Sequence, residues 1–118
     1  MAASILLVED EPGISRLMEI QLSKTYDVRC VFTAQDAANA LATHEFDLVV
    51  LDVSLPDRPC WDILTTIVNS HPATRALVMT GHTDIRTKEK ALSLGAQMVV
   101  AKPITPARLQ DVIKRILS

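Results

Sequence analysis

The stretch DLVVLDVSLPD, residues 47–57, decides the fold. Four large apolar residues, Leu48, Val49, Val50 and Leu51, run without a polar break and end on a carboxylate, Asp52. A short, continuous, β-branched run suits a strand buried on both faces of a parallel sheet. Its last residue then lies at the sheet edge, where a charge can meet solvent. The segment that follows, SLPDRP, carries two prolines and reads as a loop.

Three further runs share this character: ILLV at 5–8, ALVM at 76–79 and MVVA at 98–101. Each reads as a strand buried on both faces. DVRCVF at 27–32 alternates instead and predicts an edge strand with one wetter face. Helical spacing fills the intervals. Ile14, Leu17, Met18 and Leu22 follow Pro12, and Ala34, Ala37, Ala38 and Leu41 follow Thr33, a suitable N-cap. Ile63, Leu64, Ile67 and Val68 form a third stripe. Leu109, Val112, Ile113 and Ile116 form a last one behind Thr105 and Pro106. Residues 83–94 place Ile85, Ala91, Leu92 and Leu94 around a polar middle, which predicts the most weakly held helix. Five β–α alternations predict an α/β fold: a parallel sheet, right-handed crossovers and helices on both faces.

A chain of 118 residues suits one domain. Apolar residues make up 48% but aromatics only 3%, so the core must come from Ile, Leu, Val, Ala and Met. The net charge of −2, with both signs interspersed along the chain, argues against a basic nucleic-acid-binding surface. No apolar run approaches the ~20 residues of a membrane helix. The opening MAASILLVEDE turns acidic too soon for a secretory signal. Cys30 and Cys60 have no zinc or CxxC spacing and are expected as free thiols in a reducing cytoplasm. His44, His71 and His82 do not cluster by spacing, so no metal site is expected among them.

In folds of this class, ligands sit beyond the carboxyl ends of the strands. Those ends carry Glu9, Asp10 and Glu11 after the first strand, Asp52 after the third, Thr80 after the fourth, and Lys102 before Pro103 after the fifth. Crowded carboxylates repel unless a cation neutralises them. Mg²⁺ typically takes one or two carboxylates with phosphate oxygens and waters, which suits Asp10 and Asp52 with Glu9 behind them. Lys102 offers a mobile positive charge and Thr80 a hydroxyl for a phosphate oxygen. A carboxylate so flanked can attack a phosphoryl donor and form an aspartyl phosphate.

LLVEDE, LVVLDVSLPD, ALVMTGH and VVAKP resemble, in order and spacing, the receiver domain of two-component response regulators, and the likeness runs over residues 5–117. The resemblance implies a single receiver domain over 1–118, flavodoxin-like, with the strand order 2-1-3-4-5 already known for receiver proteins. It implies Asp52 as phosphoacceptor, and Mg²⁺ held by Glu9, Asp10, Asp52 and the backbone carbonyl of Ser54. Thr80 and Lys102 would sense the phosphoryl group, and the Lys102–Pro103 bond would be cis. It also implies a cytoplasmic signalling domain rather than an enzyme, promoting only its own phosphorylation and slow dephosphorylation. The implied partners are a histidine kinase or phosphotransfer protein and an output domain or effector, with no membrane or direct nucleic-acid contact. A weak homodimer through the fourth and fifth helices is a further expectation. His82, two residues past Thr80, occupies a place that influences phosphoryl lifetime in the family.

Three positions depart from the family pattern. Val99 stands where an aromatic ring often signals the switch, Cys60 where the loop usually has Gly, and Ile104 where Phe often follows Lys-Pro. A side chain at 60 resists positive φ, so a differently shaped loop is expected. Val99 and Cys60 leave open an alternative, a pseudo-receiver that acts as an interaction module and never carries phosphate. A nucleotide-binding α/β protein would want Gly and backbone amides after the first strand, where this chain has EDEPG. A haloacid-dehalogenase-type phosphatase would want a second Asp where Ser54 stands. The weak fourth helix, with its flanking loop, is expected to be the face that phosphorylation biases between two packings.

Overall fold

Each apolar run forms a strand. A computed structural model describes residues 2–81 and 85–118. Its elements alternate as β1 (Ser4–Val8), α1 (Pro12–Leu22), β2 (Asp27–Val31), α2 (Ala34–Thr43), β3 (Leu48–Asp52), α3 (Cys60–Ser70), β4 (Arg75–Thr80), α4 (Ile85–Ser93), β5 (Met98–Ala101) and α5 (Pro106–Leu117). The strands pair in parallel in the order β2-β1-β3-β4-β5. His82 and Thr83 lie outside the described residues, and with them the expectations placed there.

The two-residue period of a strand sends the β3 run to both faces. Val49 and Leu51 pack with Ala37, Leu41, Ile63, Leu64 and Ala91 of α2, α3 and α4. Leu48 and Val50 pack with Met18, Leu22, Leu109 and Ile113 of α1 and α5. All four β3 side chains are fully buried, each worth roughly 1.5–3 kcal/mol relative to exposure. That sandwich fixes the direction in which Asp52 leaves the sheet.

Three expectations about faces are corrected, the first in α3, where Ile63, Leu64 and Ile67 are buried but Val68 is exposed. In α1 the buried face is Ser15, Met18 and Leu22, while Ile14 and Leu17 are 38% and 61% exposed. The small Ser15 lets the helix approach the sheet, and this turns the bulkier neighbours outward. MVVA forms β5, but at the sheet edge, and its residues are half-buried or exposed rather than covered on both faces. β2 takes the opposite edge with the wetter pattern expected of it.

Within α4, Ala91 alone is fully buried, and Ile85 and Leu92 are exposed, in line with the weak stripe. The helix is stopped by Gly95, with φ of +110°, which donates to Leu92 O while the Ala96 N–H donates to Ala91 O. These bonds satisfy the last carbonyls of α4. The Lys102–Pro103 bond is cis. Among the described residues no helix is long and apolar enough to cross a membrane.

Candidate functional site

Parallel strands bring their carboxyl ends to one edge, and the site assembles there. Glu9 follows β1; its N–H donates to Val31 O at 3.2 Å and its side chain is buried. Asp10, next along, is exposed. Asp52 closes β3 and Thr80 closes β4, both buried, and Thr80 comes one residue after Met79, the register partner of Asp52. Lys102 extends β5, its N–H donating to Thr80 O at 2.8 Å. Ser54 lies in the exposed loop after β3 and donates its N–H to Asp52 Oδ1 at 3.0 Å.

Carboxylate oxygens of Glu9, Asp10 and Asp52 all lie within 4.8 Å of one another. Lys102 Nζ reaches Asp52 Oδ2 at 2.9 Å and Glu9 Oε2 at 3.2 Å. Its hydrogen bond to Glu9 goes to Oε1, at 3.4 Å, so buried Oε2 feels the charge but accepts no hydrogen bond. Burial pushes the Glu9 carboxyl above its ordinary range and the Asp52 charge pushes it further, against the Glu11 N–H and Lys102. Burial alone would pull Lys102 down, but its hydrogen bonds and charge pairing with Asp52 and Glu9 outweigh it and hold the ammonium above its usual value. One ammonium thus serves two buried carboxylates, with a third exposed beside them. Such an oxygen-only donor set, with one buried oxygen short of a donor, fits a small hard divalent cation.

No non-glycine residue among those described has positive φ, and Cys60 opens α3 directly behind Pro59. Its thiol is pushed up to about 12 by burial and by the Asp52 charge, and burial pushes Cys30 up to about 11. Both cysteines are free. Neither should react with Ellman's reagent at pH 8 in the native state beyond a slow phase, and both should react at once in guanidinium; fast native labelling of Cys60 would contradict the burial.

Two features went unread in the sequence. Asp57, quoted there only as part of a loop, accepts the N–H groups of Ala34 at 2.8 Å and Gln35 at 2.9 Å. Ile14 and Leu17, read as core, line an apolar groove with Pro103, Ile104 and Pro106 beside Lys102. The only sequence signal for either was an Asp among prolines and one apolar residue too many in α1.

A five-stranded parallel sheet of order 2-1-3-4-5 with an acidic pocket and a lysine at its carboxyl edge defines a class of signalling fold. The family model for the response regulator receiver domain matches residues 5–114, and the chain belongs to that family. The response regulator protein PilR of Pseudomonas aeruginosa is 34% identical over 109 residues, covering 92% of this chain and 24% of PilR. The response regulator DrrB of Thermotoga maritima, an OmpR/PhoB homolog, superposes with a TM-score of 0.92 at 31% identity, over 99% of this chain and 53% of DrrB. A CheY-like receiver domain protein from Methanospirillum hungatei gives a TM-score of 0.94 at 25% identity, covering 99% of this chain and 94% of that one. The chain thus spans about a quarter of PilR and half of DrrB.

Proposed function

We propose that this receiver domain accepts a phosphoryl group on Asp52 from a phosphorylated histidine of a kinase or phosphotransfer protein. The observation that carries the reading is the single ammonium of Lys102, 2.9 Å from Asp52, inside a cluster of three carboxylates. An Asp52 oxygen forms its bond to phosphorus as the P–N bond to the donor imidazole breaks. The imidazole leaves with the electron pair and later takes a proton from solvent. Ser54 N–H and Lys102 hold Asp52 from two sides, so the attacking group needs little reorientation. Mg²⁺ bound by Glu9, Asp10, Asp52 and the Ser54 carbonyl would neutralise charge on the transferring group. Lys102 and the Thr80 hydroxyl would then hold the phosphoryl oxygens.

The apolar groove of Ile14, Leu17, Pro103 and Ile104 borders this site and suits a partner that brings its histidine to Asp52. Output would pass through α4 and β5 to an effector or an attached domain. Val99 is only half-buried and lines an open groove with Ala101, Ile104 and Arg108, so no ring at that position reports the switch. Exposed charges of both signs, among them Lys88, Glu89, Arg108, Asp111 and Arg115, face solvent on α4 and α5, and a weak symmetric pairing there would bring them together. We place the domain in the cytoplasm, where such kinases act.

The test is incubation with Mg²⁺ and acetyl phosphate, followed by intact mass. The expected result is a gain of one phosphoryl group, lost in Asp52→Asn and in EDTA. A folded wild type that gains nothing would overturn the reading.

A further inference from the structure

We infer that Asp57 is a positioning residue, a tether that holds the β3–α3 loop in the shape the phosphorylation site needs. The inference rests on the function proposed above. Its starting point is the N-terminus of α2, whose first amides have no partner within the helix. Thr33 Oγ1 accepts from Asp36 N–H at 3.0 Å, and this leaves the amides of Ala34 and Gln35. Asp57 takes both, one on each carboxylate oxygen, from 23 and 22 residues further along the chain. The N-cap residues of α1 and α3, Glu11 and Pro59, make no side-chain cap hydrogen bond of their own. The two hydrogen bonds draw the Asp57 carboxyl below its ordinary range.

The consequence lies on the loop side of the contact. Between β3 and α3 the chain must leave Asp52, present Ser54 and turn into α3, and it has no glycine with which to do so. Val53 is fixed by its N–H on Met79 O at 2.9 Å, and Ser54 by its N–H on Asp52. Beyond them the loop is exposed at Pro56, Asp57 and Pro59. Prolines at 56 and 59 limit its conformations without attaching it to anything. Leu55 packs in part against the core, and Asp57, three residues after Ser54, supplies the polar attachment of the exposed stretch. A carboxylate held through both oxygens by backbone amides restrains translation and tilt of this exposed stretch, and so helps to keep the Ser54 backbone registered against Asp52. Groups that orient a metal site from behind its ligands typically change affinity by about 10–100-fold when lost.

The experiment compares wild type, Asp57→Ala, Asp57→Asn and Thr33→Ala by Mg²⁺ titration calorimetry and by acetyl phosphate uptake against Mg²⁺ concentration. Thr33→Ala removes a cap from the same helix without touching the loop, and so reports the effect of a weakened α2 alone. Asp57→Ala is expected to weaken Mg²⁺ binding about tenfold, at the low end of that range, with uptake at saturating Mg²⁺ within about twofold of wild type. Asp57→Asn, which keeps one acceptor oxygen, should fall between, and it covers the case of a poorly folded alanine variant. Thr33→Ala should lower the melting temperature but leave Mg²⁺ affinity in place. Unchanged affinity in Asp57→Ala, or an equal loss in Thr33→Ala, overturns the tether while the proposed function stands. A wild type that neither binds Mg²⁺ nor takes up phosphoryl overturns both.

Discussion

Gly95→Ala is expected to destabilise the domain by about 3 kcal/mol, a fall in Tm of roughly 10 °C. Two separate effects add. A φ of +110° lies where an L side chain is strained, at about 1–3 kcal/mol. A Cβ built there would also stand 2.5 Å from Val68 Cγ2 on α3, an overlap of a further ~1–3 kcal/mol before relaxation. Val68 is 45% exposed and can turn, so the steric part is the softer one. Adding Val68→Ala should therefore recover about 1 kcal/mol and no more, because the backbone strain remains. Urea denaturation of the two single variants and the double variant separates the terms. Full recovery in the double variant would show that φ is not the constraint. The loss would also reach the site: Gly95 ends α4, and the residues after it enter β5, whose end presents Lys102.

How much of this was legible in the sequence depended on whether neighbours along the chain carried the information. A buried run ending in a charge is a local pattern, so β3 and Asp52, and with them β1 and Glu9, could be read directly. Lys102 was legible for the same reason, as a charge closing an apolar run. The face of α1 was not. Ile14, Leu17, Met18 and Ile20 surround the helix too broadly for periodicity to choose a side, and the choice was made by Ser15, small enough to sit against the sheet. β5 reads like β3 in composition, yet only the pairing order makes it an edge. Asp57 was hidden most completely, because its partners lie 22 and 23 residues away and are backbone amides, which leave no trace in residue identity. The depth of Glu9, fully buried beside exposed Asp10, was equally beyond reading from an acidic pair.

Lys102→Met is expected to remove about 2 kcal/mol of stability at about pH 7.5 in metal-free buffer. Breaking a fully buried pair by deleting one partner costs about 3–5 kcal/mol, and the figure here is lower because the Lys102 side chain keeps 21% of its exposure. The variant retains Asp52 and Glu9, buried and facing each other with no counter-charge. The deficit should depend on pH in a stated direction. The folded Glu9 carboxyl already lies above its ordinary value, chiefly through burial and then through Asp52, and losing Lys102 raises it further. A carboxyl raised in the folded state contributes stability below its unfolded value, and that contribution is lost as pH rises through the folded value. Acidification from about pH 7.5 toward about 5 should therefore narrow the gap between variant and wild type. The raised Lys102 makes the opposite limit: its contribution to wild type is present below the ordinary lysine value and disappears as pH rises past the folded one. Mg²⁺ should stabilise the variant more than the wild type, since a cation there replaces the missing charge. The midpoints of urea denaturation at the two pH values, with and without Mg²⁺, decide it. A deficit constant in pH would mean that Lys102 acts through packing of its stem, and a variant more stable than wild type would mean that desolvating the ammonium outweighs both of its pairs.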